Sequence, residues 1–448
     1  MRGISKTTFN GTCENDENMC ALLTENLRTP LVGRCDVFVC GGGPAGVAAA
    51  ISAAREGASV TLVEAHGCLG GIWTSGCLCW LIDHANKTGI MEEIKARLTR
   101  IGGLSHDARG RPSSAYDCEC MKLVLDEMTA EAGVRVLLHS HVVAARVNPK
   151  GRLTHAIVES KSGREAWNAS VFIDASGDGD LAARAGCQFD IGHPKTGETQ
   201  PMSLMALISG VSSDEIHDYH GTHDSQKQES AKRRLLAHLE SHGHSPSYAS
   251  PTLFHIRNNL FAMMATHQYG HSALSAADLT EATISARAEI HAIIAALRRS
   301  GGAWAGVQLV ATAAQIGVRE ARRIRGRYTV TTDDLQSGGR HPDSICDVTF
   351  CVDIHSTNPA HGKGYHNGNI RVSPYQIPLR AAIAADVDGL MLAGRCISGD
   401  FFAHASYRVT GNAVQMGESV GRAAAQASAR GVLPRELIGE SAKTGMAA

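Results

Sequence analysis

The stretch Cys35-Asp-Val-Phe-Val-Cys-Gly-Gly-Gly-Pro-Ala-Gly-Val-Ala-Ala-Ala-Ile-Ser-Ala-Ala-Arg-Glu-Gly-Ala-Ser-Val-Thr-Leu-Val-Glu64 reads as one unit: apolar strand, glycine turn, small-residue helix, second strand, terminal acid. Gly41, Gly43 and Gly46 fill the pattern G-x-G-x-x-G. Gly41 permits a tight turn, Gly43 lets backbone N–H groups reach a pyrophosphate, and Gly46 lets the helix pack close to the sheet. Pro44 and Ala45 open that helix, whose N-terminus offsets phosphate charge. Glu64 ends the second strand about 20 residues on, where a carboxylate accepts hydrogen bonds from an adenosine ribose. Strand, helix and acid agree, so the glycines are read as a dinucleotide-binding turn.

The same fingerprint serves nicotinamide and flavin dinucleotides, and the continuation separates them. Glu64 is followed by Ala65 and then by Leu69-Gly70-Gly71-Ile-Trp-Thr74. An apolar strand from Val171 runs into Asp174-Ala175-Ser176-Gly177. Near the C-terminus, Gly389-Leu-Met-Leu-Ala-Gly394-Arg395-Cys-Ile-Ser-Gly399-Asp400 reads as a strand that delivers an acid. The next segment opens a helix at Thr410-Gly411-Asn412-Ala413, whose positive end can stabilise charge on a reduced ring. These pieces, in this order, resemble the FAD-dependent oxidoreductase family of the glutathione-reductase-like (two-dinucleotide-binding-domain) flavoprotein superfamily. Ala314–Tyr328 with Thr332-Asp333-Asp334, and Tyr375-Gln-Ile-Pro378-Leu-Arg380, extend the resemblance over roughly 30–430. It implies FAD as cofactor, held by the residues just named together with Val142 and Val143, with Asp400 at the ribityl and phosphate region. Cys77, Cys79 and Trp80 after Gly76 depart from the family pattern.

The expected fold class is α/β: a Rossmann-like FAD-binding domain (GR2-type) with an inserted α+β substrate domain. Residues 1–34 form a polar extension, 35–195 and 385–432 the two parts of the FAD-binding domain, 196–384 the substrate domain and 433–448 a tail. Helices are expected over Gly89–Gly102, Tyr116–Gly133, 278–299 and 303–325. The last would put Arg319 and Arg323 on one face as an anchor between domains. Ser212–Ser250 is polar enough for a lid or a surface excursion.

With 448 residues, 43% of them hydrophobic, the chain can bury a large core. A net charge of −1 gives no pull toward nucleic acid or anionic lipid. No apolar run approaches the ~18 residues of a membrane span. The first residues lack a charged segment followed by an apolar one, so a secretory signal is not expected and the location is read as cytoplasmic. The 13 cysteines are then reduced thiols. Cys35, Cys40, Cys346, Cys351 and Cys396 lie in apolar strand patterns as small core residues. Neither Cys77-x-Cys79 nor Cys118-x-Cys120 has zinc spacing, and His217, His220 and His223 lie in a hydrophilic stretch, so no metal is expected.

No second nucleotide fingerprint and no C-x4-C redox pair follow, which argues against a pyridine-nucleotide disulfide reductase. The electron donor or acceptor stays open. A homo-oligomer stays open too. His404, between Asp400 and the helix start at Thr410, is the candidate base; the plainer role is packing on FAD. Arg408 binds an anionic substrate group or the flavin, or makes a salt bridge within the domain. Tyr375 and Arg380 are candidate pocket residues, and His355, His361 and His366 weaker ones. The preferred reading is an oxidoreductase moving a hydride between flavin N5 and a small polar substrate. The alternative is a monooxygenase reduced by transiently bound NAD(P)H, and the non-enzymatic rival is an FAD-stabilised scaffold.

The purified protein is expected to be yellow, and its acid-released cofactor to run as FAD; FMN alone would refute the adenosine role of Glu64. Gly43→Val, which places a side chain in the pyrophosphate path, should purify without flavin. Full occupancy in that variant would sink the fingerprint reading.

Overall fold

The computed structural model describes residues 25–106, 112–220 and 225–438. Most of the N-terminal extension and of the C-terminal tail lies outside these residues.

The fingerprint strand begins earlier than its apolar core, at Leu31, and runs to Cys40. It lies between two parallel partners, Val60–Val63 and Gly163–Asp174. The first of these pairs in turn with Arg135–Leu137, again in parallel. Val37, Phe38, Val39, Leu62, Phe172 and Ile173 are fully or almost fully buried, as expected of a sheet covered on both faces. Gly163–Asp174 is long enough to serve two neighbours on one side. Its first half pairs antiparallel with Leu153–Ser160, which pairs with His141–Val147. Its last residues pair parallel with Leu390–Leu392. The result is one seven-stranded sheet in which the C-terminal strand joins the N-terminal fingerprint.

Two helices built from small residues lie against each other over this sheet, Pro44–Arg55 and Thr410–Arg430. Gly43 precedes the first and Pro44 starts it, a position where the missing N–H costs nothing. A Cβ on Gly417 would sit 2.1 Å from the carbonyl oxygen of Ala45, and one on Gly421 2.2 Å from that of Ala49. Glycine is therefore required for the close approach, not for its dihedral freedom.

A second, four-stranded antiparallel sheet orders Thr252–Arg257, Leu260–Met264, Met205–Ser209 and Gln308–Thr312. The helices Ser225–Ser241 and Ala276–Ser300 share its apolar cluster. Ser212–Ser250 thus contains a full helix rather than an open excursion. The expected helix over 303–325 does not form. Gly301 and Gly302 take positive φ values of 67° and 53° and end the preceding helix. Gln308–Thr312 is then claimed by the sheet edge at Met205–Ser209, whose backbone groups need a partner. Arg319 and Arg322 fall in irregular chain, and Arg323 in a short strand paired with Phe189–Asp190. Their helical i, i+4 relation is lost.

The apolar contacts also divide differently from the sequence boundaries. Ile324 to Ile383 pack into the same cluster as the seven-stranded sheet, whereas Met202 to Ile316 form the second cluster with Cys77, Cys79 and Cys118. Cys351 is exposed, not core, because its strand, Ser344–Val348, ends before it. Among the described residues no helix is long and apolar enough to cross a membrane.

Gly417→Val should lower the stability of the holo-protein by about 1–3 kcal/mol through overpacking against the Ala45 carbonyl. A thermal midpoint equal to that of the wild type would show that the two helices can part without cost.

Candidate active site

One cavity of about 680 Å³ connects the fingerprint turn to the second sheet, a volume ample for a cofactor and part of a substrate. At one end it is lined by Gly41, Gly43, Pro44, Ala45, Glu64, Ala65 and Gly71. Val142, Val143, Ala175, Ser176, Gly177, Gly394, Arg395, Arg408, Thr410 and Ala413 also reach it. Residues from four distant segments of sequence therefore meet on one wall.

The fingerprint is shaped for a pyrophosphate. Gly41 sits at φ +101°, and a Cβ there would lie 2.5 Å from the carbonyl oxygen of Ala175. A Cβ on Gly43 meets nothing within 4 Å, so its face is open to the cavity. One on Gly46 would lie 1.8 Å from the Gly41 carbonyl oxygen, which makes Gly46 a packing residue off the cavity wall. Glu64 is 6% exposed. Its Oε2 accepts the Gly42 N–H at 2.6 Å, and its Oε1 accepts the His66 N–H and meets His66 Nδ1, each at 2.8 Å. Burial alone would raise its pKa, but these bonds bring it below the ordinary range. An ionised carboxylate has about four lone-pair sites, so it retains capacity for a ribose hydroxyl. The open Gly43 cradle and this oriented carboxylate fit the adenosine and pyrophosphate parts of FAD. Arg395, whose Nε donates to the Gly177 carbonyl at 2.9 Å and which pairs with Asp178, closes the wall opposite.

Several expected contacts act from behind instead. Gly70 N–H donates to the Gly42 carbonyl at 2.7 Å, and Thr74 Oγ1 donates to the Leu69 carbonyl at 2.5 Å. Leu69, Gly70 and Thr74 therefore brace the turn without lining the cavity. Gly411 and Asn412 are also set back: the Gly411 N–H is taken by the Ile82 carbonyl at 2.9 Å, and Asn412 is fully buried. Gly399 packs under Tyr407, where a Cβ would lie 2.5 Å from the ring.

Asp400 is corrected. Its Oδ1 caps the short helix Phe401–Tyr407 through the Ala403 N–H at 2.7 Å. Its Oδ2 accepts the N–H and hydroxyl of Thr332 at 2.6 and 2.8 Å. Both oxygens are bonded within the protein, and Asp400 does not line the cavity.

His404 is corrected as well. It is 0% exposed, lies off the cavity wall and has no hydrogen-bond partner at either ring nitrogen. Burial, with Arg323, Arg408 and Arg395 nearby, holds its pKa well below the usual value. One helical turn after Asp400, the backbone carries it into the interior beside Tyr407. Tyr375 is fully buried and donates to Ser406 Oγ at 3.0 Å. Arg380 bonds Asp343 Oδ1 at 2.6 Å. Neither lines the cavity.

The far end of the cavity holds the charged groups. Arg408 reaches it, with Nη2 donating to Gln200 Oε1 at 3.1 Å and to the Asp353 carbonyl at 2.7 Å. Arg319, Asp353 and His355 line the same end. His355 Nε2 lies 3.3 Å from Asp353 Oδ2, and its Nδ1 lies 2.9 Å from His267 Nε2. His267 Nδ1 lies 3.0 Å from the Tyr269 hydroxyl, which donates to the Ser247 carbonyl at 3.1 Å. Beside an ionised carboxylate the favoured tautomer of His355 carries its proton on Nε2 and donates to Asp353 Oδ2, which leaves Nδ1 to accept from His267 Nε2. Burial and Arg319 push His355 down to about 4. Burial alone would raise Asp353, but His355, Arg408 and Arg319 bring it below the carboxylate range. Near neutral pH Asp353 is therefore ionised and the His355 ring beside it is neutral.

Sequence reading names His355 only weakly and misses Asp353 and Arg319 as cavity residues. Arg319 lies in a stretch that carries the family resemblance but reads as a helical anchor, and nothing in the local sequence marks Asp353; the pairing of Ile354–His355 with Tyr365–His366 and the irregular run after Thr312 bring them to the cavity. His217 Nδ1 bonds the Asp214 carbonyl and His220 Nε2 the Ser213 carbonyl, while His223 lies outside the described residues.

No curated protein matches the chain. Among solved structures it is similar to a geranylgeranyl bacteriochlorophyll reductase-like protein from Thermoplasma acidophilum (13% identity, 91% of this chain and 80% of that one, TM-score 0.45). It is also similar to a myxobacterial FAD-dependent chondrochloren halogenase (12% identity, 92% and 78%, TM-score 0.48). A third is an anhydrotetracycline hydroxylase from Streptomyces rimosus (12% identity, 92% and 66%, TM-score 0.45). The family model described as FAD dependent oxidoreductase matches residues 36–444. With that match spanning the fingerprint, the second sheet and the returning C-terminal strand, the chain belongs to the FAD-dependent oxidoreductase family and uses FAD.

Proposed function

We propose that this FAD-dependent oxidoreductase acts on a small polar molecule held at the Arg319–His355 end of the cavity, and that Asp353, held by His355, takes the proton released on oxidation. The observation that carries the reading is the hydrogen-bonded series Asp353, His355, His267, Tyr269, which starts on the cavity wall and ends at a half-buried tyrosine. FAD, when bound, supplies the two-electron acceptor or donor. Oxidation of a hydroxyl-bearing carbon to a carbonyl releases two electrons, a carbon-bound hydrogen and the hydroxyl proton. The ionised Asp353 carboxylate accepts that proton, and His355, hydrogen-bonded to it and backed by His267 and Tyr269, holds the carboxylate in place. Asp353 takes the role assigned to His404 by sequence position.

The finer assignments belong to this reading. The glutathione-reductase-like (GR2) character of the cofactor domain is supported by the convergence of the Leu-Gly-Gly, Ala-Ser-Gly and C-terminal strand segments behind one cavity. Residues 35–195 and 385–432 hold the cofactor, and the sheet built by Met202 to Ile316 covers the substrate. The partners are a small-molecule substrate and a separate electron donor or acceptor. Oxygenation with FAD reduced by transiently bound NAD(P)H is the second reading of the same cavity.

Anaerobic addition of a metabolite panel tests both. Bleaching by a substrate alone supports substrate oxidation, bleaching only with NAD(P)H supports oxygenation, and bleaching by neither overturns the catalytic reading. Once a reducing substrate is found, Asp353→Asn should keep FAD and slow reduction by roughly 10²–10⁴-fold. The His355 pKa lies below its unfolded value, so the ring stays neutral until pH falls toward about 4. The wild-type reduction rate should therefore be flat from about pH 5 to 8 and fall only below that range. A rate that climbs tenfold across neutrality would require a different base.

A further inference from the structure

The geometry points to an anion subsite at Arg319 and Arg408, making the substrate a monocarboxylate with an apolar body. This rests on the reading of the same cavity as the substrate site. Arg319 donates from Nη1 to the Pro201 carbonyl at 2.7 Å and to Ser203 Oγ at 2.8 Å, both neutral acceptors. It is half-buried and lines the cavity. Among the described residues no carboxylate lies within ion-pair distance of it. Arg408, with its side chain 10% exposed, has Asp353 Oδ2 3.8 Å from Nη2, while its buried Nε has no hydrogen-bond partner. Gln200, 2% exposed, accepts from Arg408 and leaves its own Nε2 without a partner.

The charges at this end do not balance. Glu320 is engaged by Arg323, and His355 and His267 are held neutral by burial and by Arg319. Two guanidinium groups thus face one carboxylate, Asp353. Burial and repulsion from Arg408 press the Arg319 pKa down to about 10, still far above neutrality, so the excess positive charge remains. An uncompensated buried charge is costly, and a planar carboxylate matches the guanidinium donors in charge and shape. The cavity also has an apolar lining: Trp80 and Phe254 pack as a tilted pair with centroids 5.1 Å apart, and Met205 and Met264 add to it. A single anionic group on an aryl or alkyl body satisfies both halves.

The FAD-loaded protein tests this without turnover, through the flavin visible spectrum. Benzoate and hexanoate are titrated against their neutral partners benzamide and hexanamide. At least one carboxylate should perturb the spectrum with saturation and bind about tenfold or more tighter than its amide. Arg319→Gln should keep FAD and weaken that carboxylate by about tenfold or more, Arg319→Lys should restore part of the affinity, and Arg340→Gln on the surface should change nothing. No perturbation by either carboxylate, or equal binding of acid and amide to the wild type, overturns the proposal. So does loss of FAD from Arg319→Gln, which would assign the arginine to the cofactor. Failure here leaves substrate oxidation standing, because the anaerobic bleaching of the wild type is measured independently. Carboxylate binding without any bleaching substrate would leave the subsite standing and remove the redox reading.

Discussion

Everything in this molecule depends on the contact between the helices Pro44–Arg55 and Thr410–Arg430. Gly417 and Gly421 lie directly on the carbonyl oxygens of Ala45 and Ala49, with no room for a side chain. That contact joins the two ends of a long chain. It lays the Leu390–Leu392 strand beside Gly163–Asp174 and aims Thr410 and Ala413 at the same space as Gly43. Close backbone approach maximises dispersion contact and minimises the side-chain entropy lost on packing. The small residues of both helices serve that end.

Once the cofactor wall is assembled, the insertion has one way to contribute. Its four-stranded sheet carries Met205, Phe254 and Met264 to the cavity, and the irregular chain after Thr312 brings Arg319. The loop at Asp353–His355 approaches from the other side, anchored where the His355 N–H donates to Gln200 Oε1 at 3.0 Å. Gln200 thus ties that loop and Arg408 together. A site with two arginines, one carboxylate and two neutral histidines is poised in charge rather than relaxed, and burial sustains that state by excluding the water that would screen it.

The errors of sequence reading share one cause. Asp400 and His404 are assigned to the flavin, and Tyr375 to the substrate pocket, by their distance along the chain from a recognisable motif. Distance along the chain says nothing about direction. A residue that starts a helix with a free carboxylate is a good cap, and Asp400 is spent on that and on Thr332. Four residues later the helix turns His404 inward. The run after Trp304 misleads in another way: Ala-rich sequence favours a helix locally, but two left-handed glycines and an unpaired strand edge decide against it.

The dinucleotide turn was determined by the sequence, because it rests on residues that act through local backbone geometry: Gly41 at a positive φ, Gly43 with no side chain, Glu64 at a strand end. The choice of FAD over a nicotinamide cofactor was legible only in the order of the later segments, through their resemblance to a flavoprotein family. The reacting end of the cavity was decided only by tertiary structure. Arg319, Arg408 and the pair Asp353–His355 come from three separate segments, and although Arg319 lies in a stretch that carries the family resemblance, nothing in that stretch says that its side chain faces the cavity. Their chemistry arises from burial and mutual charge, which exist only after the two sheets have closed around them.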